Sequence, residues 1–351
     1  MTFLPRLSHK DHVLKRSSLL LLAFTCLALA GCPTEDPPFE YVLEDQDSGF
    51  LSVHGTSDHD VWVAGAADSN GTGLPTVLHY DGAGWTRQDL SGLDLEGTDL
   101  WWVHAFTESD VMVAGENGAI LRYDGTRFTR MTTPGTRVIF GLWGASSSDV
   151  WAVGGQNGGA SGFVWHFDGS AWTEMMLPVD HPGAAVFKVW GVSASDVWFC
   201  GLMGTLMHWD GSAFSMVASP TTRSLFTLHA IEGEVAVVGG EGTATVLRGA
   251  DGVFTEVTPM ADDGTTPVRM NGVWLTAPGE GYAVGVYGDI LRQRGGVWAP
   301  EAALFDHLHA VWVDPSGGVW AVGGEILSEP LTSGVVVHRG SPTIESTVTE
   351  E

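Results

Sequence analysis

Seven times in this chain a short alternating apolar run ends on glycine. The fullest copy, SSSDVWAVGG at Ser146–Gly155, is matched by HDVWVAG ending at Gly65, SDVMVAG at Gly115, SDVWFCG at Gly201, GEVAVVG at Gly239, EGYAVG at Gly285 and GGVWAVG at Gly323. The spacings are 50, 39, 47, 38, 46 and 38 residues, a mean period of 43. A unit of that length cannot bury its apolar face alone and must stack on its neighbours, and strand-rich units of this period are propeller blades.

Each repeat reads as four short strands, A to D, joined by turns. Strand A carries a large planar residue eleven positions before the glycine: His54, His104, Trp143, Trp190, Trp274 and Trp312, with His229 ten before Gly239. Strand B is the repeated run itself. Strand C is TVLHYDG in the first repeat, then AILRYDG, FVWHFDG and TLMHWDG, with weaker copies TVLRGADG, DILRQRGG and GVVVHRG. An aromatic then opens strand D: Trp85, Phe128, Trp172, Phe214, Phe254 and Trp298. The seventh repeat stops before any strand D, while FEYVLEDQ at Phe39–Gln46 precedes the first strand A and alternates. The expectation is an all-β, seven-bladed propeller over residues 39–340, closed by strand 39–46 completing the last blade. Closure removes the sheet edges that an open array would expose.

Ahead of the repeats, Arg6, Lys10, Lys15 and Arg16 precede an apolar run from Leu19 to Ala30 and the sequence Leu-Ala-Gly-Cys. The run is too short to span a bilayer, and the pattern is that of a secretory signal over residues 1–31. The ending resembles the bacterial lipobox. That resemblance implies cleavage before Cys32, lipidation of Cys32, a short tether over 32–38 and anchoring in the cell envelope, at the outer membrane because Pro33 is not Asp. Acyl chains contribute about 0.8 kcal/mol per buried CH₂, so several chains anchor durably. Residues 341–351 are expected to be a flexible acidic tail.

Without Arg6, Lys10, Lys15, Arg16 and Asp11, 12 Lys and Arg face 41 Asp and Glu, a formal charge of −29. Nucleic-acid binding needs a basic patch and is excluded as an expectation. With Cys26 and Cys32 accounted for, Cys200 stands alone, so no intramolecular disulfide is expected. Many carboxylates fall in Asp-Gly turns such as Asp81-Gly82, Asp124-Gly125 and Asp168-Gly169, where Asp bonds its own backbone. The three strand A histidines come from repeats 1, 2 and 5 and interchange with Trp, which suits packing rather than zinc; no metal or cofactor is expected. The strand C donors His79, Arg122, His166, His208, Arg248, Arg292 and His338 are expected to bond acidic or carbonyl groups of the turn before strand B, such as Asp60, Asp110, Asp149 and Asp196. DSNGTG at Asp68–Gly73 has a calcium-loop look, but His79 stands where the twelfth-position Glu belongs, so a plain turn is favoured.

DGSAWT at Asp168–Thr173 and its copies resemble the Asp-box repeats of sialidase-type propellers, less one residue between Asp and Gly. The Gly doublets Gly154-Gly155, Gly239-Gly240 and Gly323-Gly324, followed by aromatic pairs such as Phe167 and Trp172, resemble kelch repeats of shorter period. Both resemblances imply a propeller and neither implies an activity.

Function is to be sought in loop lengths. From the strand B glycine to the strand C Asp, blades 1 to 5 use 16, 9, 14, 9 and 12 residues, blade 6 uses 9 to Arg294, and blade 7 uses 17 to Gly340. The D–A connections emerge on the same face, and variable loops on a rigid ring are where binding concentrates. The same alternation also fits duplication of a two-blade unit. Candidate binding residues on that face are Asp68, Asn70, Trp101, Trp102, Asn157, Asp180, His181, Asp262, Asp263, Arg269 and Glu325. No nucleophile elbow, zincin motif or phosphate loop occurs, and catalytic residues are not assigned. The leading reading is a monomeric, lipid-anchored, non-catalytic binding or scaffold protein with a protein or glycan ligand. The alternative is a glycan-active hydrolase or lyase, which needs two carboxylates about 5–5.5 or 6.5–9.5 Å apart at the channel mouth. A passive structural lipoprotein would have no concave polar pocket.

Overall fold

The computed structural model describes residues 36–68, 70–156, 159–260, 263–340 and 344–350; Cys32 and the signal lie outside them. Seven antiparallel sheets follow one another along the chain, each with its strands in A-B-C-D order. Blade 3 is representative, with strands Val138–Ser146, Asp149–Gly155, Phe163–Phe167 and Trp172–Glu174. The seventh sheet is completed as the sequence predicts. Glu40–Gln46 pairs antiparallel with Thr332–Arg339, placing Tyr41 opposite Val337 and Leu43 opposite Val336. Val42 and Leu43 are buried there, and the Tyr41 hydroxyl donates to Asp306 at 2.7 Å. Pro37–Glu351 form one compact unit. Part of the acidic tail also joins a sheet: Val348–Glu350 runs parallel to Trp85–Arg87 as a fifth strand of blade 1, while residues 341–343 lie outside the described set.

The recurring Asp-Val-Trp now has a physical reason. In blade 1, Asp60 Oδ1 accepts from the Trp62 indole at 2.8 Å and pairs with His79 Nε2 at 2.8 Å. The His79 ring lies flat on Trp62, with centroids 3.9 Å apart. Blade 4 repeats the arrangement with Asp196, Trp198 and His208, and blade 3 keeps the His166–Asp149 bond at 2.6 Å with His166 against Trp151. Arg122 pairs with Asp110 and Arg248 with Glu234, so five blades tie strand C to the acid that opens strand B. Blades 6 and 7 differ. Arg292 reaches Glu301 on strand D, and His338 stacks on Trp320 while Asp314 takes the Trp320 indole. Burial pushes the Asp60 carboxyl up, but the bonds from His79, Thr56 and Trp62 outweigh it and hold it below the ordinary range.

The glycine that ends each run is a close-approach residue. In all seven blades the A–B pairing carries a β-bulge just after the residue opposite this glycine, as between Phe50 and Ser52 or Leu308 and Ala310. The incoming backbone is so near that a Cβ on Gly154 or Gly323 would lie 1.8 Å from the carbonyl oxygen of Val138 or His307. The short B–C connections of blades 2, 4 and 6 share one device, a single 3₁₀ turn with Asn117, Met203 or Tyr287 at φ 53°, 59° and 63°.

Replacing Asp60, 1 % exposed, with Ala is expected to cost about 2–4 kcal/mol by orphaning buried donors. Asp110→Ala, at a pair whose side chains are 34 % and 22 % exposed, should cost under about 1 kcal/mol. Urea midpoints of the two variants check the contrast. A Leu43→Asp variant should open the seventh blade and give soluble aggregates by size-exclusion chromatography.

Candidate functional site

The seven planar residues of strand A meet on the axis and fill it. His54 stacks on His104 at 4.6 Å, His229 on Trp274 at 4.0 Å, and Trp190 touches both His229 at 4.7 Å and Trp274 at 5.0 Å. Trp143 and Trp312 complete the plug. Two of its histidines act as neutral acceptors: His54 Nδ1 takes the Ala105 N–H at 3.1 Å, and His229 Nδ1 takes the Leu275 N–H at 3.2 Å, each joining its blade to the next, while His104 Nδ1 is buried without a hydrogen-bond partner. Burial holds His54 down at about 3, with Lys188 adding to the effect, and burial likewise holds His104 and His229 well below the usual range. Among the described residues no group of His, Cys, Asp and Glu is placed to hold a metal ion.

Above the plug the bulges shape a cavity. Each bulge turns one residue toward the axis, three positions before the planar marker: Leu51, Trp101, Phe140, Phe187, Phe226, Asn271 and His309. All seven line one cavity of about 280 Å³, together with Trp102, Lys188, Trp190, Trp274, Arg269 and Ile326. An aromatic arc runs around it. Trp101 meets Phe140 edge-on at 5.6 Å, Phe140 meets Phe187 edge-on at 5.3 Å, Phe187 lies 5.7 Å from Phe226, and the Arg269 guanidinium sits 5.4 Å from the Phe226 ring. His309 closes the arc 5.9 Å from Trp101, its Nδ1 bonded to the Leu51 carbonyl at 2.5 Å.

The charges of the cavity oppose those of the molecule. Lys188 is 3 % exposed, with Nζ 2.7 Å from the centroid of the Trp102 ring. Burial lowers its amine well below the usual range, and burial also lowers Arg269. His309 is held at about 4 by burial, with the Arg269 and Lys188 charges adding to it. No carboxylate lines the cavity among the described residues. The carboxylate pair that a glycan-cleaving site would need is therefore not formed there by the described residues.

Of the sequence candidates, Trp101, Trp102 and Arg269 line the cavity, and exposed Glu325 precedes its lining residue Ile326. The others that can be placed do not converge on it. Asp68 accepts the N–H groups of Asn70, Gly71 and Thr72, the plain turn expected, and lines a separate depression with Asp99, Glu116 and Glu329. Asp180 is exposed, His181 Nδ1 accepts the Gly183 N–H, and Asp263 caps Thr265 within its own turn. Asn157 and Asp262 lie outside the described residues. Sequence reasoning missed Phe140, Phe187, Phe226, Lys188, Asn271 and His309. The available signal was the column three residues before each marker, aromatic in four of the seven repeats.

The class of protein is thus a seven-bladed β-propeller with a plugged axis and an aromatic cavity at the channel mouth. Solved structures similar to it include YCF48 bound to D1 peptide, at 13% identity and TM-score 0.64, covering 88% of this chain and 98% of that one. YCF48 from Cyanidioschyzon merolae matches at 13% identity and TM-score 0.63, covering 86% and 99%. U3-55K matches at 12% identity and TM-score 0.65, covering 88% and 99%. No protein-family model and no curated protein matches the chain. At these identities the likeness is one of fold, and no repeat type follows from it.

The neutral histidines make stability fall with acid. The unfolded chain protonates them near 6.5, whereas the folded protein holds them deprotonated, so their stabilisation is complete above about 6.5 and is lost as pH drops. Each contributes a slope of up to about 1.4 kcal/mol per pH unit below that point. A His104→Phe variant is expected to flatten the slope between pH 6.5 and 5 by about one proton, read from urea midpoints against pH.

Proposed function

We propose that this is a binding or scaffold protein of the cell envelope, held by a lipid on Cys32, that takes a segment of a partner protein at the channel mouth. The observation that carries the reading is the cavity itself: an aromatic arc on a rigid ring, opening on the face with the long, variable loops and without a carboxylate among its described lining residues. Aromatic side chains lose little conformational entropy on binding and dominate the energetics of recognition. A propeller of the same fold, YCF48, has a solved structure bound to a peptide, which supports a protein partner here. The sequence ahead of the ring supports the envelope address, and the Asp-box or kelch resemblance remains the reading of the repeat type.

Peptide arrays and glycan arrays probed with residues 37–351 test this. Peptide binding is expected, weakened about 30-fold or more by Trp101→Ala or Phe187→Ala. Binding confined to glycans, or binding unaffected by both substitutions, rejects it.

A further inference from the structure

Beyond Lys15 the chain contains a single lysine, Lys188, and it is buried at the axis of the propeller. Lysine is among the side chains least often fully buried, and an ammonium or amine in an apolar setting costs stability unless a partner offsets it. In the six other blades the equivalent strand A position holds Ser52, Trp102, Gly141, Thr227, Gly272 or Ala310, so the scaffold does not require a cation. None of the described ion pairs involves Lys188, although 41 carboxylates follow Cys32. Arg269 makes none either, and its Nε is buried without a hydrogen-bond partner. The titratable groups that interact with the amine are His54, His104, His229, His309 and Cys200, and no acid is among them.

We propose that the cavity is a receptor for a carboxylate carried on an apolar or aromatic group, with the carboxylate between Lys188 and Arg269 and the apolar part against Phe140, Phe187 and Phe226. A cavity of roughly 150 Å³ holds a benzene ring. The 280 Å³ present therefore accommodates an aromatic group and its carboxylate. Arg269 supplies a charge matched to one monoanion and a planar donor fork suited to carboxylate, and the Lys188 amine adds N–H donors whose protonation the anion favours. The proposal rests on the binding role above and specifies its chemistry: in a protein partner the group is the C-terminal carboxylate of a chain ending in an apolar residue. A free aromatic acid offers the same chemistry. The acidic exterior opposes the approach of an anion, an effect that salt screens over about 8 Å. Salt should therefore speed association, since the buried contacts are screened far less.

The single lysine makes the test direct. Residues 37–351 labelled at lysine Cε give one protein signal by NMR, followed while 3-phenylpropionate or 3-phenylpropionamide is added. The acid is expected to shift the signal saturably, to raise the pH at which it titrates, and to bind about tenfold or more tighter than the amide. Lys188→Met should abolish the preference while leaving the urea midpoint unchanged or higher, which a merely structural lysine would not do. Equal shifts with acid and amide, or none with either, overturn the proposal.

A peptide library with free or amidated C-termini separates the sources. Preference for free termini supports both this inference and the protein-binding role. Peptide binding indifferent to amidation overturns the inference and leaves that role standing. Response to phenylpropionate without any peptide binding supports the carboxylate site and removes the protein partner.

Discussion

Seven sheets share one axis here through side chains of their innermost strands, and that contact governs the rest of the molecule. Strand A of every blade brings one large planar side chain inward, and the four tryptophans and three histidines pack on one another across the centre. The histidines differ from the tryptophans in offering an acceptor, and His54 and His229 use it to take a backbone N–H from the next blade. They can do so only when neutral, which couples the integrity of the ring to pH. The strand 40–46 contributes the last requirement, since without it the seventh blade would end on an unpaired strand.

The cavity follows from how that packing is reached. A bulge in each strand A shifts the register once, and the glycine opposite lets the backbones approach closely enough for it to form. The residue inside each bulge lines the axial cavity, so seven positions become a ring of side chains. The scaffold is sevenfold, but its chemistry is not. Three phenylalanines and a tryptophan occupy one arc, while Asn271 and His309 occupy the remainder beside Leu51. Symmetry places the site and the broken symmetry gives it direction.

Electrostatics sharpen the contrast between outside and inside. Surface aspartates are absorbed in turns: Asp168 and Asp210 each accept two backbone N–H groups and a serine hydroxyl, which hold both carboxyls at about 2. Their charge is therefore structural rather than available for chemistry. Two cations in none of the described ion pairs, Lys188 and Arg269, line the same cavity at the channel mouth. An overall charge of −29 says nothing about this local positive region, because a low-dielectric cavity is governed by the few groups that line it.

The sequence alone determined the blade number, the strand order within a blade and the closing strand, because each follows from local spacing and alternation repeated seven times. It also identified the acid partners of the strand C donors in four blades, Asp60, Asp110, Asp149 and Asp196, since the acid and the strand C residue recur in every repeat, but it did not single out Glu234, the partner of Arg248. Even His229, one residue out of step with the other markers, still pairs with the residue three before the glycine, Ala236, and its blade lacks the second bulge that blades 1, 2, 3, 4 and 6 carry next to the A–B turn. The binding residues were less legible. Asp68, Asp180 and Asp263 sit on loops of the expected face, yet their carboxylates serve their own turns or remain exposed away from the axis, and loop residence carries no information about distance from the channel. Which side chains meet there was decided by the tertiary structure, through bulges that no composition signals and through blades hundreds of residues apart, such as those carrying Trp101 and His309. Lys188 shows the difference most clearly. Its rarity is written in the sequence, but only the closed ring buries it against Trp102 and brings it to the cavity that Arg269 also lines.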